Sequence, residues 1–259
     1  PIRSAGLCFG SIATVLLAGC GSHSVPSADA VGPVDRCRRG PAFQSELALG
    51  PRSALSTSLT EIKGLVIVDP DGADGVGAVY QHESWDDAGY LGPFVTDRRG
   101  DVYVAPVPLV SLIDNPAGMQ NRVYRIDSDS REMSLFLELP AAADSSERSV
   151  FGVVGLAYDC ETHSLYASSL AGSTGEAEVG RIFRLDLAAG RIASRLEGVD
   201  CLGVGVHRGP NGKRLYCGSA RGPLVRSWAL DASGDAVGDG RLDLSLGQQV
   251  SGGRNTVRR

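Results

Sequence analysis

From about residue 60 onward, apolar and polar positions alternate in short runs with a period of two, the spacing of half-buried β-strands. Three stretches share one layout. They are 92–104 (GPFVTDRRGDVYV), 155–167 (GLAYDCETHSLYA) and 203–217 (GVGVHRGPNGKRLYC). Each has a short apolar strand, a polar turn containing Gly or Asp, and a second strand with Val or Leu before Tyr: Tyr103, Tyr166 and Tyr216. Such a unit predicts a β-hairpin. A third strand follows each hairpin and closes on an aspartate. These strands are 122–127 (RVYRID), 181–186 (RIFRLD) and 226–231 (RSWALD), ending at Asp127, Asp186 and Asp231. A fourth follows at 133–139, 191–196 and 241–246.

Four antiparallel strands recurring about every 45–60 residues predict an all-β chain built as a β-propeller of four-stranded antiparallel blades. Three blades are complete in pattern. Two further strand candidates, 64–69 and 77–81, mark a partial blade before them. A ring of six such blades needs about 270 residues or more. The ring is therefore expected to be incomplete, in a chain that starts at Pro1 and shows no closing strand pair after residue 247. A truncated or frame-shifted form of a longer protein is the expectation. The expected division is 1–19 a signal peptide, 20–60 a flexible tether, 61–247 the blades and 248–259 a disordered tail.

Composition narrows the function classes. The 259 residues hold 34 Gly and 13 Pro but 2 Met and 6% aromatics, a balance of turns and short strands. Net charge is −5, with no basic field to hold a phosphate backbone, so no nucleic-acid partner is expected. No Gly-x-Ser-x-Gly elbow, Cys-x-x-Cys pair, phosphate loop or dinucleotide fingerprint occurs.

The first residues read as an address. An apolar run from Ala5 to Leu17 follows Arg3 and is too short to cross a bilayer as a helix. Leu17-Ala18-Gly19-Cys20 then resembles the bacterial lipobox. That resemblance implies diacylation of the Cys20 thiol, which becomes the new N-terminus, and membrane attachment through this lipid. Gly21, where an Asp would favour the inner membrane, implies the outer membrane facing the periplasm. Ser, Pro, Gly and Ala dominate the segment that follows, as a spacer requires.

The hairpin from Gly155 to Ala167 resembles the gluconolactonase/regucalcin-like propeller superfamily, and the likeness covers about residues 75–246. The resemblance implies a central channel and, in the enzymes of that superfamily, one divalent cation held by Glu, Asn and Asp for the hydrolysis of lactones or organophosphates. Val154 stands where that superfamily often places Asn, and Leu202 is its equivalent in the next repeat. Neither offers oxygen to a hard cation. No cofactor is therefore expected, with Ca2+ or another divalent cation as the alternative. The remaining candidate ligands are Glu83, Asp86 and Asp87, expected to border the channel because they precede the first inner strand. Asp97, Asp101, Asp159 and Asp186 are expected at turns on the blade rims. The Asp/Gly-rich stretch 69–75 reads as a turn, since position twelve of a calcium loop would be Tyr80. His163 and His207 are expected on the surface.

Four cysteines remain beyond the leader: Cys37, Cys160, Cys201 and Cys217. In an oxidising compartment they allow three pairings. A Cys160–Cys201 bridge would staple adjacent blades and leave Cys217 a buried thiol. The reading that follows is a monomeric, lipid-anchored envelope propeller that binds a small ligand or protein partner. A metal-dependent lactonase-type hydrolase is the alternative, and an assembly scaffold a third class.

Overall fold

The computed structural model describes residues 40–47, 49–72, 77–144 and 149–247. It is almost wholly β. Strand β1 (Ala54–Ser56), β2 (Val66–Asp69) and β3 (Ala78–Tyr80) form a three-stranded sheet. Three four-stranded sheets follow as simple meanders. The second blade comprises β4 (Leu91–Thr96), β5 (Val102–Pro106), β6 (Arg122–Ile126) and β7 (Met133–Glu138). The third comprises β8 (Val153–Asp159), β9 (Ser164–Ser169), β10 (Arg181–Asp186) and β11 (Arg191–Glu197). The fourth comprises β12 (Cys201–Gly209), β13 (Gly212–Ser219), β14 (Leu224–Leu230) and β15 (Ala236–Ser245). All pairings within these sheets are antiparallel. The first strand of each four-stranded blade meets the first strand of the next, β4 against β8 and β8 against β12. This is an arc of propeller blades with the first strands innermost, an incomplete ring of three full blades and one partial.

Alternation along the second strands explains the stacking. In β5, Val102 and Val104 face the first blade's core with Ile67 and Trp85, whereas Tyr103 and Ala105 face the third blade's Leu165 and Phe183. In β9, Leu165 joins that same interface and Tyr166 turns the other way, towards Leu215 and Trp228. Both faces of a middle blade are thus buried, and each side chain has its interface assigned by position parity. Tyr103, Tyr166 and Tyr216 all lie on second strands, as the repeat predicts.

The aspartates closing the third strands also repeat in space. Asp127 Oδ1 accepts from the backbone N–H of Asp129 and Ser130, Asp186 Oδ1 from Ala188 and Ala189, and Asp231 Oδ1 from Ser233 and Asp235. Each side chain folds the turn by mimicking a backbone acceptor. Where blades cross at the axis, one glycine decides the spacing. A Cβ on Gly155 would lie 2.7 Å from Ser168 Oγ and 3.3 Å from Gly203 Cα.

Three expectations need correction. The tether does not run to residue 60. Helix α1 (Ala42–Glu46) places Phe43 in the core against Trp85, and β1 pairs with β2, because Phe43 and Leu55 supply apolar surface that the first blade otherwise lacks. The signal segment, Cys20, Cys37 and the tail after 247 lie outside the described residues. Cys201 pairs with Cys217 inside one blade, not with Cys160. A register shift in β12 after Cys201 brings the two Cα atoms to 5.5 Å across adjacent strands. Cys160 is also disulfide-bonded. His163 is not on the surface. It is buried in the β8–β9 turn at φ 51°, with Nδ1 2.9 Å from Tyr158 Oη. Desolvation, foremost, holds its pKa below the ordinary imidazole value. His207 is exposed, as expected.

Candidate functional site

The inner strands converge on an axial cavity of about 860 Å³. Its walls follow from the order of the blades. β4 supplies Leu91 to Thr96, β8 supplies Val154, Gly155 and Leu156, and β12 supplies Leu202, Gly203 and Val204. Connections at one end of the blades complete it: Val107, Leu109 and Val110 after β5, Phe151 before β8, and Leu170 after β9. A hydroxyl-bearing wall comes from Thr57, Ser58 and Thr60 after β1. None of the lining residues carries a charge.

Buried polar groups hold this end in shape. The Asn115 side chain accepts from the Tyr90 N–H and donates to the Ala88 and Tyr90 carbonyls, fixing the loop after β5 to the start of β4. Asp200, also buried, accepts from Gly180 N, Ser173 Oγ and the Arg221 guanidinium. That carboxylate is the knot tying together the loops after β9 and β13. Thr57 Oγ1 donates to the Gly92 carbonyl at 2.9 Å, which seats the hydroxyl wall against β4.

Val154 and Leu202, which occupy equivalent positions in successive repeats, both line the cavity with aliphatic carbon. Glu83, Asp86 and Asp87 do not border it. Glu83–Asp86 forms a single 3-10 turn whose Trp85 plugs the core and donates to the Arg131 carbonyl, while Ser84 Oγ receives the Met133 N–H. This turn packs beside the β6–β7 connection, at the outer edge of the second blade, and all three carboxylates are exposed. Sequence adjacency to β4 misled the expectation, because the chain enters the inner strand from the rim. Among the described residues no group of three or more His, Cys, Asp or Glu is placed to hold a metal ion.

The rim aspartates fall at the other end of the blades, as expected. Asp97 Oδ1 accepts three backbone N–H groups, from Arg99, Gly100 and Asp101. Asp101 receives Arg125 and the Ser128 N–H. Asp159 receives Lys213 Nζ at 2.5 Å, both side chains being 4% exposed, and Glu161 pairs with Arg208. The Arg208 hydrogen bond, foremost, lowers the Glu161 pKa to about 2. Asp69 Oδ1 accepts from the Asp71 N–H and Oδ2 from the Gly50 N–H, a turn use of the Asp/Gly-rich stretch. These acids cap turns and join blades.

Sequence reasoning missed Thr57, Ser58 and Thr60, and Val107, Leu109 and Val110 of the loop after β5, as parts of the site. The second left a signal: an apolar run interrupted by Pro106 and Pro108, residues that cannot extend a central ladder.

No family model matches the chain, and no curated protein matches it. Solved structures do. One, a luciferin-regenerating enzyme, is 12% identical, with a TM-score of 0.41 over 69% of this chain. The chain spans 56% of that protein's length.

Proposed function

We propose that this chain is a lipid-anchored bacterial envelope propeller that takes a small apolar ligand into its axial cavity. The observation that carries the reading is the uncharged lining, in which Val154, Leu156, Leu202 and Val204 from two inner strands face Val107 and Leu109 from a loop. Apolar walls with a few hydroxyls on one side suit a hydrocarbon body whose single polar group reaches Thr57 or Thr60. A hard cation, by contrast, needs several converging oxygens, preferably charged ones. The lipobox at Leu17 to Cys20 supports attachment to the membrane, with Gly21 pointing to the outer one.

Titration with a neutral naphthylamine dye tests the cavity. The wild-type chain should enhance the dye's emission saturably. Leu202→Asp, which puts a carboxylate in the wall, should weaken uptake by about tenfold or more. Equal uptake by the variant, or none by the wild type, would refute the reading. Mass spectrometry of the processed protein should find the lipid increment on Cys20, and Cys20→Ser should abolish it.

A further inference from the structure

The end of the molecule that opens the cavity carries an aliphatic protrusion. Within five residues of the loop after β5, four large side chains stand in solvent: Leu109 at 69% exposure, Val110 at 45%, Leu112 at 54% and Ile113 at 94%. No charge interrupts the chain from Val102 to Ile113. The exposure is built in. The base of the loop is pinned by Asn115 to Ala88 and Tyr90, by Val107 N–H to the Tyr90 carbonyl, and by Lys63 Nζ to Asp114 at 3.2 Å. These contacts hold both ends of the loop, and the four side chains between them stand in solvent.

Leu109 and Val110 belong to both surfaces. They line the cavity and they stand in solvent, so the cavity wall runs without a charged break into the tip. Contiguous exposed apolar surface of this kind marks a docking site. Its composition selects the partner. Protein hot spots are enriched in Trp, Tyr and Arg and poor in Leu and Val. This tip carries four exposed aliphatic side chains and no charge, and its one hydroxyl, on Ser111, is turned back to accept the Asp114 N–H, which is the chemistry of a wedge into hydrocarbon.

We infer that the 107–113 loop inserts into the interfacial region of a lipid bilayer and brings the mouth of the cavity to the lipid phase. The inference uses the anchor of the proposed function as a source of proximity, but it does not depend on what fills the cavity. A single lipid chain holds a protein to a membrane only marginally, and a second apolar contact converts that into stable attachment. Gly40 packs near Gly100 at the opposite end of the blades. Twenty residues of chain from Cys20 can span at most about 70 Å. That exceeds the roughly 20 Å height of a six-residue strand, so the tip can reach the bilayer that holds the anchor.

The test places a reporter at the tip. Trp85 and Trp228 are buried, 0% and 5% exposed, and give a constant background. Ile113→Trp in the full chain adds an exposed indole whose emission should shift to the blue on phosphatidylcholine vesicles. Brominated acyl chains should quench most of the added intensity. Ala189→Trp, on the turn after Asp186 at the other end of the blades, should do neither. Since no charge takes part, high salt should leave the shift unchanged. An unshifted Ile113→Trp, an equal shift at position 189, a shift abolished by salt, or an Ile113→Trp already blue without lipid would each overturn the inference. Dye uptake by Ile113→Asp, a residue outside the cavity wall, reports separately on the cavity reading.

Discussion

The two ends of the blades are built on opposite principles. At the turn end, connections are short and five of the six hairpin turns of the four-stranded blades are organised by a carboxylate: Asp97, Asp127, Asp159, Asp186 and Asp231 all accept hydrogen bonds from their own turns, and only the β12–β13 turn is without one. Ion pairs such as Lys213–Asp159 and Arg184–Asp235 then join neighbouring blades there. At the cavity end, the connections after β5 and β9 are longer and the exposed tip is aliphatic. The turn end joins the blades through many such groups, whereas at the cavity end buried Asp200 joins two loops and the tip of the loop after β5 stands outside that network. Changes at the tip of that loop leave the ion pairs that align the sheets untouched.

Substitutions can break this contrast, and they rank by how much each end depends on the group removed. Lys213→Ala leaves the Asp159 carboxylate buried without its cation and should destabilise the domain by about 3–5 kcal/mol, read by denaturant unfolding. Cys201→Ser with Cys217→Ser, at the cavity end, should cost about 3 kcal/mol for a bridge spanning 16 residues. It should also alter dye uptake, since Leu202 adjoins the bridge. Asp186→Ala removes two hydrogen bonds from an exposed turn and should cost about 1 kcal/mol. Ile113→Asp should change stability by less than about 0.5 kcal/mol, because the side chain touches little. A large loss in that last variant would show that the tip is structural.

Acidity acts on the turn end, where Glu161 and His163 share the β8–β9 turn. The folded pKa of His163 is depressed, so the unfolded chain binds more protons here and stability must fall as pH drops below the ordinary imidazole value of about 6.5. His163→Asn should flatten that part of the profile. Glu161 is also depressed, so its contribution is present above the ordinary carboxylate range and disappears as pH falls towards about 2. Half-exposure of Glu161 keeps this second effect small.

The strands were legible because their signal is local. Period-two alternation and a closing aspartate occur within a dozen residues, and the structure places Tyr103, Tyr166 and Tyr216 on second strands as that pattern predicts. Fourth strand β15 starts at Ala236, five residues before the expected 241, since its outer-edge residues are exposed and need no apolar alternation. What the cavity contains was legible only at Val154 and Leu202, where a repeat supplied an equivalent position. Thr57, Ser58 and Thr60 escaped notice because they reach the axis by a non-local fold-back of the first blade. Glu83, Asp86 and Asp87 escaped correct placement for the same reason: nearness in sequence to an inner strand does not say from which side the chain arrives. The partners of Cys201 and His163 depend on a strand irregularity and a left-handed turn, neither of which leaves a composition signal.

Gly155 sets how closely two of the inner strands approach. Its missing methyl lets β8 lie against β12, and alanine there would meet Ser168 and the Gly203 backbone before any other contact changed. Ser168 would have to turn away, and β12 would have to give by a few tenths of an ångström beside Gly203 and Leu202. Strand spacing and wall chemistry are therefore set at different residues. Substitutions at Val154 or Leu202 repaint the wall at fixed width, whereas alanine at Gly155 acts on the local spacing of β8 and β12 and adds no polar group.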